Sequence, residues 1–161
     1  GRINMNLREA KGWTYGAYNG VSEPLDKVRF QVIAPVQTDR TGDSLVEIKR
    51  EIDEYGSTKG VTAEELDWST KGSARELPGM FETSAAVLDG LAKIVNYQRP
   101  DDFYETLSAR YGKMTAAEVD KAFRSKINSD GMVWVVVGDA AKVKPQLDKF
   151  GLRVEEMAAP K

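Results

Sequence analysis

The chain has 161 residues, of which 41% are hydrophobic and 30% are charged, and its formal net charge is −2. This composition is typical of a globular domain with a sizeable core, and it gives no electrostatic basis for binding nucleic acid or an anionic membrane. The sequence contains neither cysteine nor histidine, which excludes disulfides, thiolate nucleophiles, histidine-based catalytic triads and the usual ligands of zinc.

The first elements predicted along the chain are a helix and a pair of strands. Apolar residues at helical spacing predict a helix over residues 2–10, and Gly12 is a typical residue at which a helix stops. Alternating side chains predict strands over 13–21 and 28–34, joined by a turn at 22–26. We expect these strands to form an antiparallel hairpin.

Five helices are predicted in the middle of the chain. The first begins after residues 41–43, and the second and fifth begin at capping boxes over 62–65 and 115–118, where a threonine is followed three residues later by glutamate. The third covers about 80–97, and the fourth begins at 100–102. The first, third, fourth and fifth helices are each expected to turn one apolar stripe toward the core. In the third helix, this stripe consists of Val87, Leu88, Leu91, Ile94 and Val95.

The end of the chain is predicted to return to the sheet. The continuous apolar run from Met132 to Val137 favours a central strand with both faces covered, or a strand that lies deep under helices. A short helix is expected from Asp139 to Phe150, followed by a last strand that uses Leu152 and Val154. Strands at the front and at the end predict an α+β fold, with an antiparallel or mixed sheet and helices packed on one face.

Arg8 and Tyr15 are the candidate functional residues. A tight turn at Gly12 is expected to bring both side chains to one edge of the sheet. A guanidinium donates two hydrogen bonds to peptide carbonyls or to a carboxylate, and a tyrosine hydroxyl donates to an oxyanion that forms at a scissile carbonyl. The alternative is that a solvated arginine and a half-buried aromatic ring have no role beyond the fold.

The run Leu-Arg-Glu-Ala-Lys-Gly-Trp-Thr-Tyr-Gly over residues 7–16 resembles the signature of the non-catalytic half of the pitrilysin/insulinase family of zinc metallopeptidases. Further segments are similar to that family in the same order along the chain, over residues 34–39, 62–66, 77–83, 114–119 and 135–139. The resemblance implies a LuxS/mitochondrial-processing-peptidase-like metallohydrolase fold that lacks its first strands. It also implies that residues 1–161 are a single domain cut from the carboxy-terminal half of a larger peptidase.

The same resemblance implies a substrate-binding domain without a catalytic centre of its own. Arg8 and Tyr15 would contact the peptide backbone and help to stabilise the transition state, and Trp13 would also bind substrate unless it is only a sheet-face aromatic. The zinc would be held by a His-x-x-Glu-His motif on another half of the peptidase or on a partner subunit. This chain would hold no metal or cofactor, and it would hydrolyse nothing alone.

Two other functions remain open at this point: a purely structural family member or scaffold subunit, and a free-standing peptide-binding module. The missing front strands would leave a bare sheet edge, which we expect self-association to cover. Residues 36–39 resemble exported bacterial members of the family, which favours the periplasm over the cytoplasm. We expect no nucleic-acid partner and no membrane span.

Overall fold

The computed structural model describes residues 1–22, 25, 27–151 and 153–157. Residue contacts divide the chain into two compact units. Unit 1 comprises Gly1–Ser22, Arg29–Glu54 and Asn128–Lys161, and unit 2 comprises Glu23–Val28 and Tyr55–Ile127. The expectation of a single 161-residue domain stays a prediction.

Unit 1 begins with a helix that changes its winding after one turn. Helix α1 (Arg2–Asn4) continues directly into a π-helix over Met5–Ala10. The helix ends as the sequence predicts, because Gly12 takes the left-handed conformation (φ 65°), which costs glycine little. The amide of Gly12 donates to the carbonyl of Arg8 at 3.0 Å. This bond closes the last turn and reverses the chain.

The predicted antiparallel hairpin is present but shorter than expected. Strand β1 (Tyr18–Ser22) pairs with β2 (Arg29–Ile33), and an isolated bridge joins Thr14 to Val36. The glycine at position 16 weakens the first half of the expected strand, since glycine offers no side chain for cross-strand packing. The turn predicted between the strands falls partly outside the described residues, at Glu23, Pro24 and Asp26.

Two further helices complete unit 1. A 3-10 turn at Thr38–Arg40 leads into α2 (Thr41–Gly56), whose last two residues belong to unit 2, and α7 (Ala140–Leu147) precedes a 3-10 turn at Asp148–Phe150. Asp139 caps α7 by accepting the amide of Ala141 at 3.1 Å. Apolar side chains from each part of the unit form a small buried core, made of Ile3, Leu7, Ala17, Ile48, Ile52 and Val143.

Unit 2 is built from helices α3 (Ala63–Glu76), α4 (Ser84–Asn96), α5 (Phe103–Lys113) and α6 (Ala116–Lys126). Both predicted capping boxes are confirmed: the hydroxyls of Thr62 and Thr115 accept the amides of Glu65 and Glu118, and both glutamates reach back. Aromatic pairs pack the unit, with ring centroids 4.9 Å apart for Phe81–Tyr104 and 4.5 Å for Tyr55–Phe123.

The predicted inner face of α4 is wrong for most of its members. Leu88, Leu91 and Val95 are 68%, 56% and 74% exposed. The inward stripe instead runs through the buried Gly90, because the ring of Phe81 lies where a β-carbon on this glycine would be, at 2.7 Å. The helix therefore packs on the face that carries this glycine, because only glycine leaves room for the aromatic ring. A pattern of hydrophobic residues does not mark glycine as a packing position.

The apolar run Met132–Val137, termed here the valine segment, is covered on one face only. Val133, Val135 and Val137 are 88%, 83% and 94% exposed, whereas the residues between them are half-buried. This alternation is that of an extended strand, but within the described ranges the segment pairs with no other strand. The prediction that both faces are covered is therefore wrong.

The last predicted strand lies partly outside the described residues, at Leu152, and residues 153–157 have no regular secondary structure. Helices together with an antiparallel two-stranded sheet confirm the α+β class. None of the helices in the described part of the chain has the length and apolar character needed to span a bilayer.

Candidate functional site

Arg8 lies in the π-helix, near the end of the element that Gly12 closes. Its side chain is 54% exposed, and Nε is 3.4 Å from Oε1 of Glu9. Ion pairs between neighbouring exposed residues contribute little to stability, so Glu9 does not bind the guanidinium firmly. Short π-helical turns are frequent at functional sites.

Tyr15 has a fixed backbone and a bare side chain. Thr14 donates its hydroxyl to the carbonyl of Pro35 and accepts the amide of Gly16 at 3.1 Å, so the chain on either side of Tyr15 is tied down. The side chain of Tyr15 is 99% exposed. It makes no hydrogen bond or ring contact with any described residue. The fold therefore holds the position of Tyr15 without using its ring.

Trp13 is half-buried and is contacted by cations of its own chain. Nζ of Lys11 lies 4.6 Å from the ring centroid, and the guanidinium carbon of Arg40 lies 5.7 Å from it. Such cation–π contacts stabilise the ring in place. The backbone carbonyl of Trp13 also accepts the amide of Gln37 at 2.9 Å. These contacts give Trp13 a structural role, and its role in substrate binding stays a prediction.

The predicted turn between Arg8 and Tyr15 is present. The amide of Trp13 donates to the carbonyl of Leu7 at 2.9 Å, which returns the chain over the preceding helix. Both candidate side chains are exposed and neither is withdrawn into the core. Their joint contact with one ligand stays a prediction.

A polar network below the π-helix was not predicted from the sequence. Nδ2 of Asn6 donates to Oε2 of Glu47 at 2.8 Å and to Oε1 of Glu51 at 2.7 Å. The two glutamate side chains are only 14% and 18% exposed. Nζ of Lys11 lies 3.5 Å from Oε1 of Glu47, and the guanidinium of Arg50 also contacts this carboxylate. The two cations therefore compensate the charge of Glu47. Through Asn6, which precedes Arg8 by two residues, the network links the π-helix to α2.

The glutamates of this network lie 41 and 45 residues after Asn6 in the sequence. An asparagine in a helix and two glutamates four residues apart are common, so nothing in the sequence links them. Among the described residues, no group of three or more acidic side chains is arranged to hold a metal ion.

A second polar cluster joins α2 to the residues before the valine segment. Nζ of Lys49 lies 2.9 Å from Asp53, 3.1 Å from Asp130 and 3.1 Å from Oγ of Ser129, which itself donates to Asp53. Burial acts to raise the pKa of Asp53, but the hydrogen bonds from Ser129 and Lys49 outweigh it and hold that pKa below its ordinary value. Hydrogen bonds to Asp53 and Asp130 raise the pKa of Lys49. These contacts favour the charged form of Lys49.

Neither a protein-family model nor a curated protein matches the sequence. Among solved structures, the chain is similar to the crystal structure of a peptidase M16 inactive domain from Pseudomonas fluorescens, with a TM-score of 0.69 and 25% sequence identity over 80% of this chain. The chain resembles a peptidase M16 inactive domain. This similarity confirms both the predicted resemblance and the predicted fold.

This chain spans 30% of the length of the solved chain that it matches. That solved protein is described as inactive. In the present chain, the lack of histidine and cysteine removes the nitrogen and sulfur ligands on which most protein zinc sites depend. Arg8 and Tyr15, which are both exposed, remain the candidate site of this chain.

Proposed function

We propose that the chain is the non-catalytic, substrate-binding domain of a zinc endopeptidase, and that Arg8 and Tyr15 contact the backbone of the bound peptide. The exposure of Tyr15, at 99%, carries the proposal. A tyrosine offers a large apolar ring with a polar tip and is enriched at interfaces. A ring that the fold holds in position but does not cover suits contact with a ligand.

The chemistry of the two side chains fits this role. The guanidinium of Arg8 donates to peptide carbonyls, and the hydroxyl of Tyr15 donates to the oxyanion that develops at the scissile carbonyl. Such a hydrogen bond is stronger in the transition state than in the ground state, so it raises the rate of the chemical step. Trp13 borders the same peptide.

Zinc belongs to another part of this proposed enzyme. A half or a partner subunit with a His-x-x-Glu-His motif holds the ion, which activates water when bound there. The absence of histidine from this chain and its similarity to a domain described as inactive support the division. On the resemblance of residues 36–39 to exported bacterial members, the proposal places the parent protein in the periplasm, which cell fractionation tests.

The experiment combines this chain with its zinc-bearing half and measures peptide turnover. Tyr15→Phe removes one hydroxyl and is expected to lower kcat about 100- to 1000-fold, the usual effect of losing one oxyanion donor. Arg8→Ala is expected to lower kcat/KM with a rise in KM. Matched controls are Tyr111→Phe and Arg124→Ala on unit 2, which should leave both constants within twofold. Unchanged turnover in both site variants refutes the proposal.

A structural scaffold is the second candidate, and one observation favours it. The exposed apolar residues of α4 and of the valine segment offer binding surfaces that need no chemistry. The scaffold predicts that Tyr15→Phe and Arg8→Ala leave turnover unchanged. A free-standing peptide-binding module instead predicts saturable binding of extended peptides by this chain alone, which calorimetric titration measures.

A further inference from the structure

The π-helical turn that carries Arg8 is bridged by one residue of α2. The amide of Lys11 donates to the carbonyl of Asn6 at 3.1 Å, which closes the turn. The side chains of the same two residues also reach one carboxylate, that of Glu47. Nδ2 of Asn6 lies 2.8 Å from its Oε2, and Nζ of Lys11 lies 3.5 Å from its Oε1. Glu47 thus joins the two ends of the turn, and Arg8 lies between them.

The winding of the turn decides whether one acceptor can bind both ends. In an α-helix, residues five apart differ by about 140° around the axis, since each residue turns by about 100°. Their side chains would then project in different directions. A hydrogen bond between residues five apart defines the wider π turn, and here both side chains lie on the side that faces Glu47. Glu47 therefore favours the π winding at the position of Arg8.

The side chain of Arg8 depends on this turn for its position. It is 54% exposed, and its ion pair with the exposed neighbour Glu9 restrains it little. Glu47, in contrast, is only 14% exposed and is fixed in α2. The direction of the guanidinium is therefore set by the backbone that Glu47 holds.

The backbone before Tyr15 is held by different contacts. The main-chain amide of Gln37 donates to the carbonyl of Trp13 at 2.9 Å, and its side-chain amide donates to the carbonyl of Gly12 at 3.2 Å. These bonds do not involve Glu47. A change at Glu47 should therefore displace Arg8 and leave Tyr15 in place.

We propose that Glu47 is a positioning residue of the candidate site, which holds the π turn so that the guanidinium of Arg8 projects toward the bound peptide. The inference rests on the proposed function, because Glu47 acts on the peptide only through Arg8. A group that is held in position before binding loses less freedom when the ligand binds. Loss of the bridge should therefore weaken substrate binding and leave the chemical step unchanged.

The first test needs only this chain. Glu47→Gln keeps the size of the side chain, but an amide has one acceptor oxygen, so it can bind Asn6 or Lys11 and not both. Hydrogen exchange followed by NMR should show the amide of Lys11 exchanging at least about tenfold faster in this variant, because the turn opens locally more often. The amide of Gln37 should keep its exchange rate.

The matched control is Glu51→Gln, which removes the same charge one turn later in α2. Glu51 accepts a hydrogen bond from Asn6 at 2.7 Å, and an amide oxygen can still accept that bond. This control should leave the exchange of Lys11 within about twofold of the unmodified chain. Circular dichroism checks that each variant is folded. Equal exchange of Lys11 in Glu47→Gln and in the unmodified chain overturns the proposal, and so does equal acceleration by Glu51→Gln.

The second test measures peptide turnover with the zinc-bearing half. Glu47→Gln is expected to raise KM about 3- to 10-fold and to leave kcat within about twofold, as for a lost ground-state contact. In the Arg8→Ala background, the same substitution should change KM by less than about twofold, because the residue that Glu47 positions is gone. A rise in KM that persists undiminished in that background refutes a role through Arg8.

Failure of the proposed function has a different signature. Unchanged turnover in both Arg8→Ala and Tyr15→Phe refutes the proposed function, and with it the role of Glu47 in binding, even where the exchange of Lys11 responds. If those two variants lower turnover and Glu47→Gln does not, only the positioning role is wrong.

Discussion

The network that joins the π-helix to α2 predicts a large, pH-dependent effect of Asn6→Asp. The substitution keeps the size of the side chain and turns a donor into a carboxylate. In the native structure Nδ2 of Asn6 lies 2.8 Å from Glu47 and 2.7 Å from Glu51, whose side chains are 14% and 18% exposed. The new carboxylate would therefore face two half-buried carboxylates at hydrogen-bond distance.

The cost can be worked from these contacts. Asn6→Ala removes two hydrogen bonds to charged acceptors, each of which contributes about 1.5 to 3 kcal/mol when well formed. Because Lys11 and Arg50 still compensate the acids, we expect a loss of about 2 kcal/mol. Like charges about 4 Å apart repel by about 4 kcal/mol per pair at an effective dielectric constant of 20. Asn6→Asp should then cost at least about 2 kcal/mol more than Asn6→Ala at pH 7.

The sign of the pH dependence follows from the same repulsion. Two neighbouring carboxylates disfavour the ionised form of the new aspartate, so its pKa is raised in the folded state. The extra loss should be complete above that raised pKa and should shrink as the pH falls and the aspartate takes a proton. Urea unfolding followed by circular dichroism at pH 7.5 and pH 5 measures both quantities.

The matched control is Asn19→Asp, because Asn19 is exposed in β1. A surface change of this kind should alter the free energy of unfolding by less than about 0.5 kcal/mol. If Asn6→Asp is no less stable than Asn6→Ala at pH 7.5, the two glutamates do not face Asn6 and the network does not hold the π-helix.

Three further changes test other contacts. Gly42→Ala should lower the free energy of unfolding by about 1 to 3 kcal/mol, since the β-carbon of the new alanine would meet the carbonyl oxygen of Gln146 at 2.6 Å. Each kcal/mol lost should lower Tm by about 2 to 4 °C, which calorimetry measures. Thr62→Ala should cost about 1 kcal/mol by removing a capping box, read from urea unfolding. Asp53→Asn should remove stability that depends on the ionised carboxylate bonded to Ser129. Since the pKa of Asp53 is lowered, its deficit should be full above pH 3.8 and vanish as the pH falls through that lowered pKa.

Each of these changes has a control of the same chemistry. Gly72→Ala adds a methyl group in α3 where nothing lies within 4 Å, and should raise stability by up to about 1 kcal/mol. Thr58→Ala and Asp101→Asn change exposed residues and should be nearly neutral. A loss in Gly72→Ala equal to that in Gly42→Ala would show that the contact with Gln146 is not the cause.

Local signals in the sequence predicted most of the fold. The capping boxes at Thr62 and Thr115 fix where two helices begin, because side chain and backbone meet within four residues. Gly12 ends the first helix for an equally local reason, its left-handed conformation. The candidates Arg8 and Tyr15 came from a motif seven residues apart, and both are exposed as the proposed contact with a peptide requires.

Features that depend on distant residues were not predictable. The apolar stripe predicted for α4 is mostly exposed, and the helix packs through Gly90 against the ring of Phe81, which precedes it in the chain. The valine segment is apolar enough to be covered on both faces. Hydrophobicity, however, shows only that the side chains favour burial, and it does not show whether other elements of the chain pack against both faces of the strand. The partners of Asn6 lie more than 40 residues away.

The positions of the three tryptophans make the two units optically separable. Trp68 lies in α3 of unit 2 and is 80% exposed, whereas Trp13 and Trp134 are half-buried in unit 1. In the folded chain, a water-soluble quencher such as acrylamide should reach mainly the indole of Trp68. Trp68→Phe leaves only the other two emitters, so their fluorescence follows the melting of unit 1, while far-ultraviolet dichroism follows the helices of both. Noncoincident transitions would then show that one half of the chain melts before the other.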